Sequence, residues 1–255
     1  MNNLVILKTI AEAQTFCRAQ KSLGFVPTMG VLHNGHKTLV ERSAKENSAT
    51  VVSLFVNPTQ FNDKSDFEKY PKTWDADLAL VADAGAQAVF SPNFADIYPD
   101  DYKFKLTESE FSKILCGAHR PGHFDGVLTI VLKLLNIISP TKAYFGEKDF
   151  QQLRLIEMMV EAFFLPTQIV RCPTIREQSG LAMSSRNTRL SLDGKKKAAL
   201  IYESMNKFET PHDVKTYLSK NGFEIDYVED IDNRRFAAAF LEGVRLIDNI
   251  KLGGS

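Results

Sequence analysis

Through about the first 175 residues, short runs rich in β-branched and apolar side chains alternate with segments of helical spacing. No other feature constrains the fold as strongly, because this alternation is the mark of a parallel sheet covered by crossover helices. Strands are predicted at 23–27, 50–56, 88–91, 143–145 and 168–172. Helices are predicted at 35–46, 73–84, 125–138 and 149–163. The breaks between them have ordinary causes: Asn57-Pro58 after the second strand, Gly85 as a helix C-cap, Ser139-Pro140, and Pro166. Around residues 180–189 the pattern changes to a polar loop rich in Ser and Arg, and the basic run Lys195-Lys196-Lys197 follows. Helices at 196–207 and 212–221 come next, then strands at 224–228, 236–240 and near 244–247. The expected architecture is therefore α/β over residues 1–175, with a smaller α+β domain over 176–255.

Composition narrows the function classes. At 255 residues the chain can bury one large core or two smaller ones. Lys plus Arg equals Asp plus Glu at 31 each, so no strong field recruits nucleic acid or an anionic membrane. Cys17, Cys116 and Cys172 are scattered, odd in number and without C-x-x-C spacing. They suit a reducing cytoplasm and argue against a disulfide framework or a zinc site. The first nine residues lack a basic start and a long apolar run, so no signal peptide is expected there. Residues 127–138 are apolar but interrupted by Lys133 and Asn136, and read as a buried helix rather than a membrane span.

The segment Val26-Pro27-Thr28-Met29-Gly30-Val31-Leu32-His33-Asn34-Gly35-His36 has the form strand, turn, His-x-Gly-His, helix. A helix start offers unpaired N–H groups and a positive dipole end, which favours phosphate. His33 and His36 at that mouth add donors for the oxygens of a nucleoside triphosphate. Capping or surface histidines are the plain alternative, and metal ligation lacks a nearby third ligand. Two further strand-to-helix junctions carry polar side chains at the same end of the sheet. Phe55-Val56-Asn57-Pro58-Thr59-Gln60-Phe61 places Gln60 there, with donors and an acceptor suited to a small hydroxy acid. Phe145-Gly146-Glu147-Lys148-Asp149-Phe150-Gln151-Gln152 places Lys148 as a point charge at a helix start, with Gly146 permitting close backbone approach and Gln152 one turn on.

Three more stretches bear on the site. Thr73 reads as an N-cap, with Asp75 and Asp77 in the first turn, where carboxylates suit the dipole. Asp77 is also within the range of roles open to a ligand of phosphate-bound Mg²⁺. Arg120 and His123, in a Gly- and Pro-rich loop before an apolar helix, either face an anion or are solvated. Ala182-Met183-Ser184-Ser185-Arg186, at the domain boundary, supplies two hydroxyls and a guanidinium for the outer phosphates of a nucleotide.

Together these stretches closely resemble the pantothenate synthetase (pantoate–β-alanine ligase) family. The matching segments are 27–36, 55–61, 70–73, 120–127, 145–153 and 180–187, with Arg245-Leu246-Ile247-Asp248-Asn249 near the end. His-x-Gly-His and Met-Ser-Ser-Arg belong to the wider nucleotidyltransferase superfamily; Asn-Pro-x-Gln-Phe and Gly-Glu-Lys-Asp-x-x-Gln-Gln narrow the match. The resemblance implies a Rossmann-like domain binding ATP and pantoate, a C-terminal lid, a homodimer and a cytoplasmic location. It implies that pantoate is adenylated by ATP and that β-alanine then displaces AMP. Carried over by position, Met29, Gly30, Val31, Leu32, His33, Asn34, Gly35 and His36 border ATP, with His36 the family's catalytic proton donor. Gly146, Glu147, Lys148, Asp149 and Ile175 contact ATP, and Met183, Ser184, Ser185 and Arg186 close over its phosphates. His33, His36, Lys148 and Arg186 are the expected catalytic set. Gln60 and Gln152 bind pantoate, Gln60 also lies near β-alanine, and Asp77 and Gln152 lie near Mg²⁺. Ala76 stands where some relatives carry an acid, and the C-terminal domain is short for the family. Two rival readings are an adenylyltransferase acting on a phosphorylated substrate, which would want more cations, and a nucleotide-binding protein with a decayed site.

Overall fold

The computed structural model describes residues 4–62, 67–68, 70–71 and 73–253; Lys72 of the 70–73 stretch lies outside them. Six parallel strands form the main sheet: β1 (Val5–Leu7), β2 (Leu23–Thr28), β3 (Ala49–Leu54), β4 (Ala88–Phe90), β5 (Lys142–Gly146) and β6 (Gln168–Cys172). Their spatial order is β1-β4-β3-β2-β5-β6. From β2 the chain runs outward through β3 and β4, then crosses back to place β5 on the other side of β2. The carboxyl ends of β2 and β5 therefore flank the point where the winding reverses, which is where open α/β sheets form a crevice.

Both faces of the sheet are covered, and the strands show it by alternation. Phe25, Val51, Phe90, Ala143 and Phe145 point into one layer, with α1 (Ile10–Arg18) and two longer helices, α6 (His123–Ile138) and α7 (Phe150–Ala162). Val26, Val52, Val89 and Tyr144 point to the other, against α2 (Asn34–Glu46) and α3 (Trp74–Asp83). Two short helices, α4 (Phe94–Ile97) and α5 (Cys116–His119), lie in the connection between β4 and α6. Strand β1 is not expected from the sequence; at three residues it carries too little pattern to be read.

After β6 the chain forms α8 (Leu192–Ala198), α9 (Leu200–Lys207) and α10 (Pro211–Lys220), then an antiparallel sheet of β7 (Glu224–Ile231), β8 (Arg234–Leu241) and β9 (Val244–Lys251). The predicted helix at 196–207 is in fact two, joined at Ala199. The strands run longer than predicted, because tight turns at 232–233 and 242–243 leave little loop between them. Strand β8 is buried on both faces. Phe236 and Ala238 join the main core, while Ala237, Ala239 and Leu241 join a second core with α9 and α10. The small sheet is thus packed into the same core as the parallel sheet. Among the described residues no helix is long and apolar enough to cross a membrane.

Candidate active site

A cavity of about 640 Å³ opens at the β2/β5 crevice, within the range of small-molecule sites. Its walls come from the loop after β2, the turn after β3, the start of α7, the 183–186 segment and strands β7 to β9.

The loop after β2 is strained and anchored from below. Gly30 (φ 80°) and the β-branched Val31 (φ 54°) both adopt left-handed backbone, which costs a residue such as valine about 1–3 kcal/mol. Asp77 holds them there. Its carboxylate accepts the N–H of Val31 (3.0 Å) and of Leu32 (2.7 Å), and the hydroxyl of Thr73 (3.0 Å). Asp77 is buried and lies off the cavity wall. The Asp77 carboxylate, expected near Mg²⁺, is here engaged in holding the loop. Leu32, Asn34 and Glu147 also lie off the wall. Leu32 packs into the core beneath, Asn34 is exposed, and the Glu147 backbone carbonyl is bonded by Asn249 of the C-terminal sheet.

His33 is the N-cap of α2, one residue earlier than the predicted helix start allows for. Its Nδ1 accepts the Gly35 N–H at 3.1 Å, and His36 Nδ1 accepts the His33 N–H at a long 3.4 Å. With both Nδ1 atoms used as acceptors, the proton of each neutral ring sits on Nε2. The rings lie 4.1 Å apart and both line the cavity. Burial and the nearby Lys148 depress the His33 pKa to about 4. Burial and the neighbouring His33 depress that of His36 to about 3. The pair therefore stands as two neutral, oriented N–H donors at neutral pH.

Gln60 is held with equal care. Asn57, buried at the end of β3, donates from Nδ2 to the Gly126 carbonyl (3.2 Å) and to Gln60 Oε1 (3.1 Å). A carbonyl can only accept, so the orientation of Asn57 follows, and Gln60 must turn its NH₂ away toward the cavity. Arg120 and His123, expected to face an anion or solvent, line the cavity and also secure the same turn. His123 Nδ1 donates to the Gln60 carbonyl at 2.8 Å, and Arg120 bonds both His123 Nε2 (3.0 Å) and that carbonyl (3.3 Å). Burial and Arg120 lower the His123 pKa to about 3. Burial and the facing Arg186 lower that of Arg120 to about 10.

The remaining cations approach from two sides. Lys148 sits in the 3-10 turn after β5, 3.6 Å from Asp149, which lines the cavity with it. Burial would raise the Asp149 pKa, but Lys148 and then Arg186 outweigh it and keep the carboxyl ionised. Gly146 has ordinary backbone, and no protein atom lies within 4 Å of where a Cβ would stand. That space belongs to the cavity. Ile175, Met183, Ser184, Ser185 and Arg186 form the opposite wall. The segment is tied down by the Met183 N–H on the Ile175 carbonyl (2.9 Å), and Ser184 Oγ caps Arg186 N (3.2 Å). Gln152 lines the wall one turn into α7. Among the described residues neither Arg186 nor Arg120 makes a direct ion pair with a carboxylate, and both line the cavity.

Sequence reasoning misses the supporting groups. Asn57 is visible only as part of a turn, and Gln151 as a neighbour of Gln152. Gln151 is buried and clamps the 111–116 segment through the carbonyls of Phe111 and Ile114 and the N–H of Cys116.

The comparisons place nearly the whole chain in one family. The family model described as pantoate-beta-alanine ligase matches residues 5–251. A pantothenate synthetase of Bdellovibrio bacteriovorus is 53% identical over 248 residues, covering 97% of this chain and 99% of its own. One from Legionella pneumophila is 49% identical over 231 residues, 91% and 92% of the two chains. A crystal structure of pantoate-beta-alanine ligase from Francisella tularensis, complexed with beta-gamma ATP and beta-alanine, superposes with a TM-score of 0.91 at 40% identity, covering 97% of each chain. The pantothenate synthetase of Thermus thermophilus gives 0.90 at 36% identity, covering 97% and 99%. The Rossmann-like sheet, with a His-x-Gly-His loop at its switch point, has the architecture of the ligases it matches. Within that class, the chain belongs to the pantoate–β-alanine ligase family.

The three depressed histidines make stability depend on pH. The unfolded chain takes up a proton on each imidazole near pH 6.5, whereas the folded chain refuses it until about pH 4 for His33 and about pH 3 for His36 and His123. Below pH 6.5 the unfolded state binds more protons, so the stability present above that pH is lost as pH falls. Urea unfolding should show a loss of about 1–2 kcal/mol per histidine between pH 7 and pH 5. The decline should be shallower in His36→Gln, and an equally steep decline in that variant would remove His36 from the account.

Proposed function

We propose that this protein condenses (R)-pantoate with β-alanine at the expense of ATP, giving pantothenate, AMP and pyrophosphate through a pantoyl-adenylate intermediate. One observation carries the reading. Two neutral N–H donors, two cations and an oriented amide NH₂ face the same cavity at the β2/β5 crevice.

In the first step a pantoate carboxylate oxygen attacks the α-phosphorus of ATP and the bond to the bridging oxygen breaks, releasing pyrophosphate. Acyl adenylation needs positioning and charge neutralisation rather than covalent help. His33 and His36 donate from Nε2 to phosphate oxygens, while Lys148 and Arg186 neutralise the charge that passes to the leaving group. The depressed pKa of His36 favours a hydrogen-bond donor over a proton donor. The negative triphosphate raises that pKa when it binds. Gln60 and Gln152 hold pantoate, and the NH₂ of Gln60 suits its carboxylate or a hydroxyl oxygen. In the second step the free amine of β-alanine, near Gln60, attacks the acyl carbon. AMP leaves, and the amine proton passes to solvent.

Mg²⁺ fits as an ion that arrives on the triphosphate, since Mg²⁺ keeps several waters and takes few protein ligands. Gln152, on the cavity wall, would approach it from the protein side, while Asp77 supports the loop beneath. A cytoplasmic homodimer completes the proposal.

The test is incubation with ATP, Mg²⁺, pantoate and β-alanine, with products read by mass spectrometry. Pantothenate should form. Omitting β-alanine should leave pantoyl adenylate tightly held, and pyrophosphate exchange should require pantoate. Exchange without pantoate, or no pantothenate, would overturn the reading in favour of an adenylyltransferase or a binding protein.

A further inference from the structure

Strand β9 ends beside the catalytic lysine. Asn249, 5% exposed, donates from Nδ2 to the carbonyl of Glu147 at 3.0 Å and to that of Lys148 at 2.9 Å. Its Oδ1 accepts a hydrogen bond from Arg234. All the hydrogen-bonding groups of the amide are therefore engaged, and its orientation is fixed. Arg234 is itself held, its guanidinium stacked 3.8 Å from the ring of Phe150, the first residue of α7. The backbone N–H of Asn249 bonds Asp248 Oδ1 at 2.8 Å, and Asp248 pairs with Arg176 on the segment leading to the opposite wall. Capturing two successive carbonyls fixes both peptide planes around the Lys148 Cα. It thereby fixes the direction in which the lysine side chain leaves the turn.

We infer that Asn249 is a positioning residue for Lys148, and that the small C-terminal sheet sets the geometry of catalysis as well as covering the site. Asn249 acts through Lys148 on the nucleotide phosphates. The inference rests on the ligase reading above, and its failure is distinguishable from failure of that reading. If the parent enzyme forms no pantothenate, the reading fails. If the parent is active but the cycle below is additive, this inference alone fails.

The experiment is a double-mutant cycle with Lys148→Ala, read both in kcat and in affinity for a non-hydrolysable ATP analogue. Asn249→Ala should lower kcat by about 10–100-fold in the parent, and by less than about threefold when Lys148 is already alanine. A purely structural role would give the same factor in both backgrounds, and that result, or an unchanged kcat, overturns the inference. If Asn249→Ala does not fold, Arg234→Met carries the same test. It keeps apolar cover over Phe150 and frees Oδ1, and should give a smaller loss of about 3–10-fold that also vanishes in the Lys148→Ala background.

Discussion

Replacing Lys148 with alanine should lower turnover by about 10²–10³-fold, the scale on which a preorganised charge donor acts in a site shielded from water. The side chain is 18% exposed and touches only Asp149 among the described acidic residues, so the fold should lose little with it. Two electrostatic consequences should accompany the loss. Lys148 is the leading influence holding the Asp149 carboxyl below its usual value, so the Asp149 pKa should rise in the variant. Lys148 also holds down the imidazoles of His33 and His36, and their pKa values should rise as well. Histidine titration followed by NMR separates these effects from unfolding. Lys148→Arg should recover only part of the rate, because a planar fork on a longer stem does not reproduce a compact point charge. A Lys148→Ala enzyme working within about threefold of the parent would remove the lysine from the charge-neutralising set.

The contrast between Gln60 and its supports explains what can be read from the sequence. The parallel sheet is legible because each strand is short, β-branched and bounded by turn residues, and because the intervening helices have clear C-terminal breaks. The convergence of His33, His36, Gln60 and Lys148 is legible for the same reason. Each follows a strand that leaves the same end of the sheet. What cannot be read are bonds made across large sequence separations. Asp77 reaches back 46 residues to Val31, Asn57 reaches 69 residues forward to Gly126, and Asn249 lies 101 residues from Lys148. An Asp in the first turn of a helix looks the same in sequence whether it serves the helix dipole, a metal or a strained loop. Only tertiary contact separates them, and here the carboxylate bonds the loop. Likewise the alternation along β8 predicts a strand, but burial on both faces follows from which layers it joins.

Gly126→Ala should produce the second large effect, although the residue touches no substrate in the proposed reaction. Gly126 lies in the first turn of α6, where the helix backbone meets the turn carrying Gln60. An added Cβ there would stand 2.5 Å from the Thr59 carbonyl oxygen, 2.6 Å from its carbon and 2.7 Å from the Gln60 nitrogen. All three are backbone atoms, so no side-chain rotation relieves the clash. The turn cannot simply lift away, because Asn57 binds it to the Gly126 carbonyl and Arg120 and His123 hold the Gln60 carbonyl from the other side. Alanine gains about 1 kcal/mol of helix propensity over glycine. Forcing a methyl group into packed backbone costs about 1–3 kcal/mol, which leaves a modest net destabilisation. The larger effect is geometric: moving Gln60 by about 1 Å is enough to cost on the order of 10²-fold in rate. The expected signature is a raised KM for pantoate with a strongly reduced kcat, while ATP-analogue affinity stays near that of the parent, because the His33–His36 mouth and the Lys148 turn lie on other elements. Loss of nucleotide affinity equal to the loss of pantoate affinity would show that the cavity responds as one body, and that the helix-to-turn contact does not specifically serve Gln60.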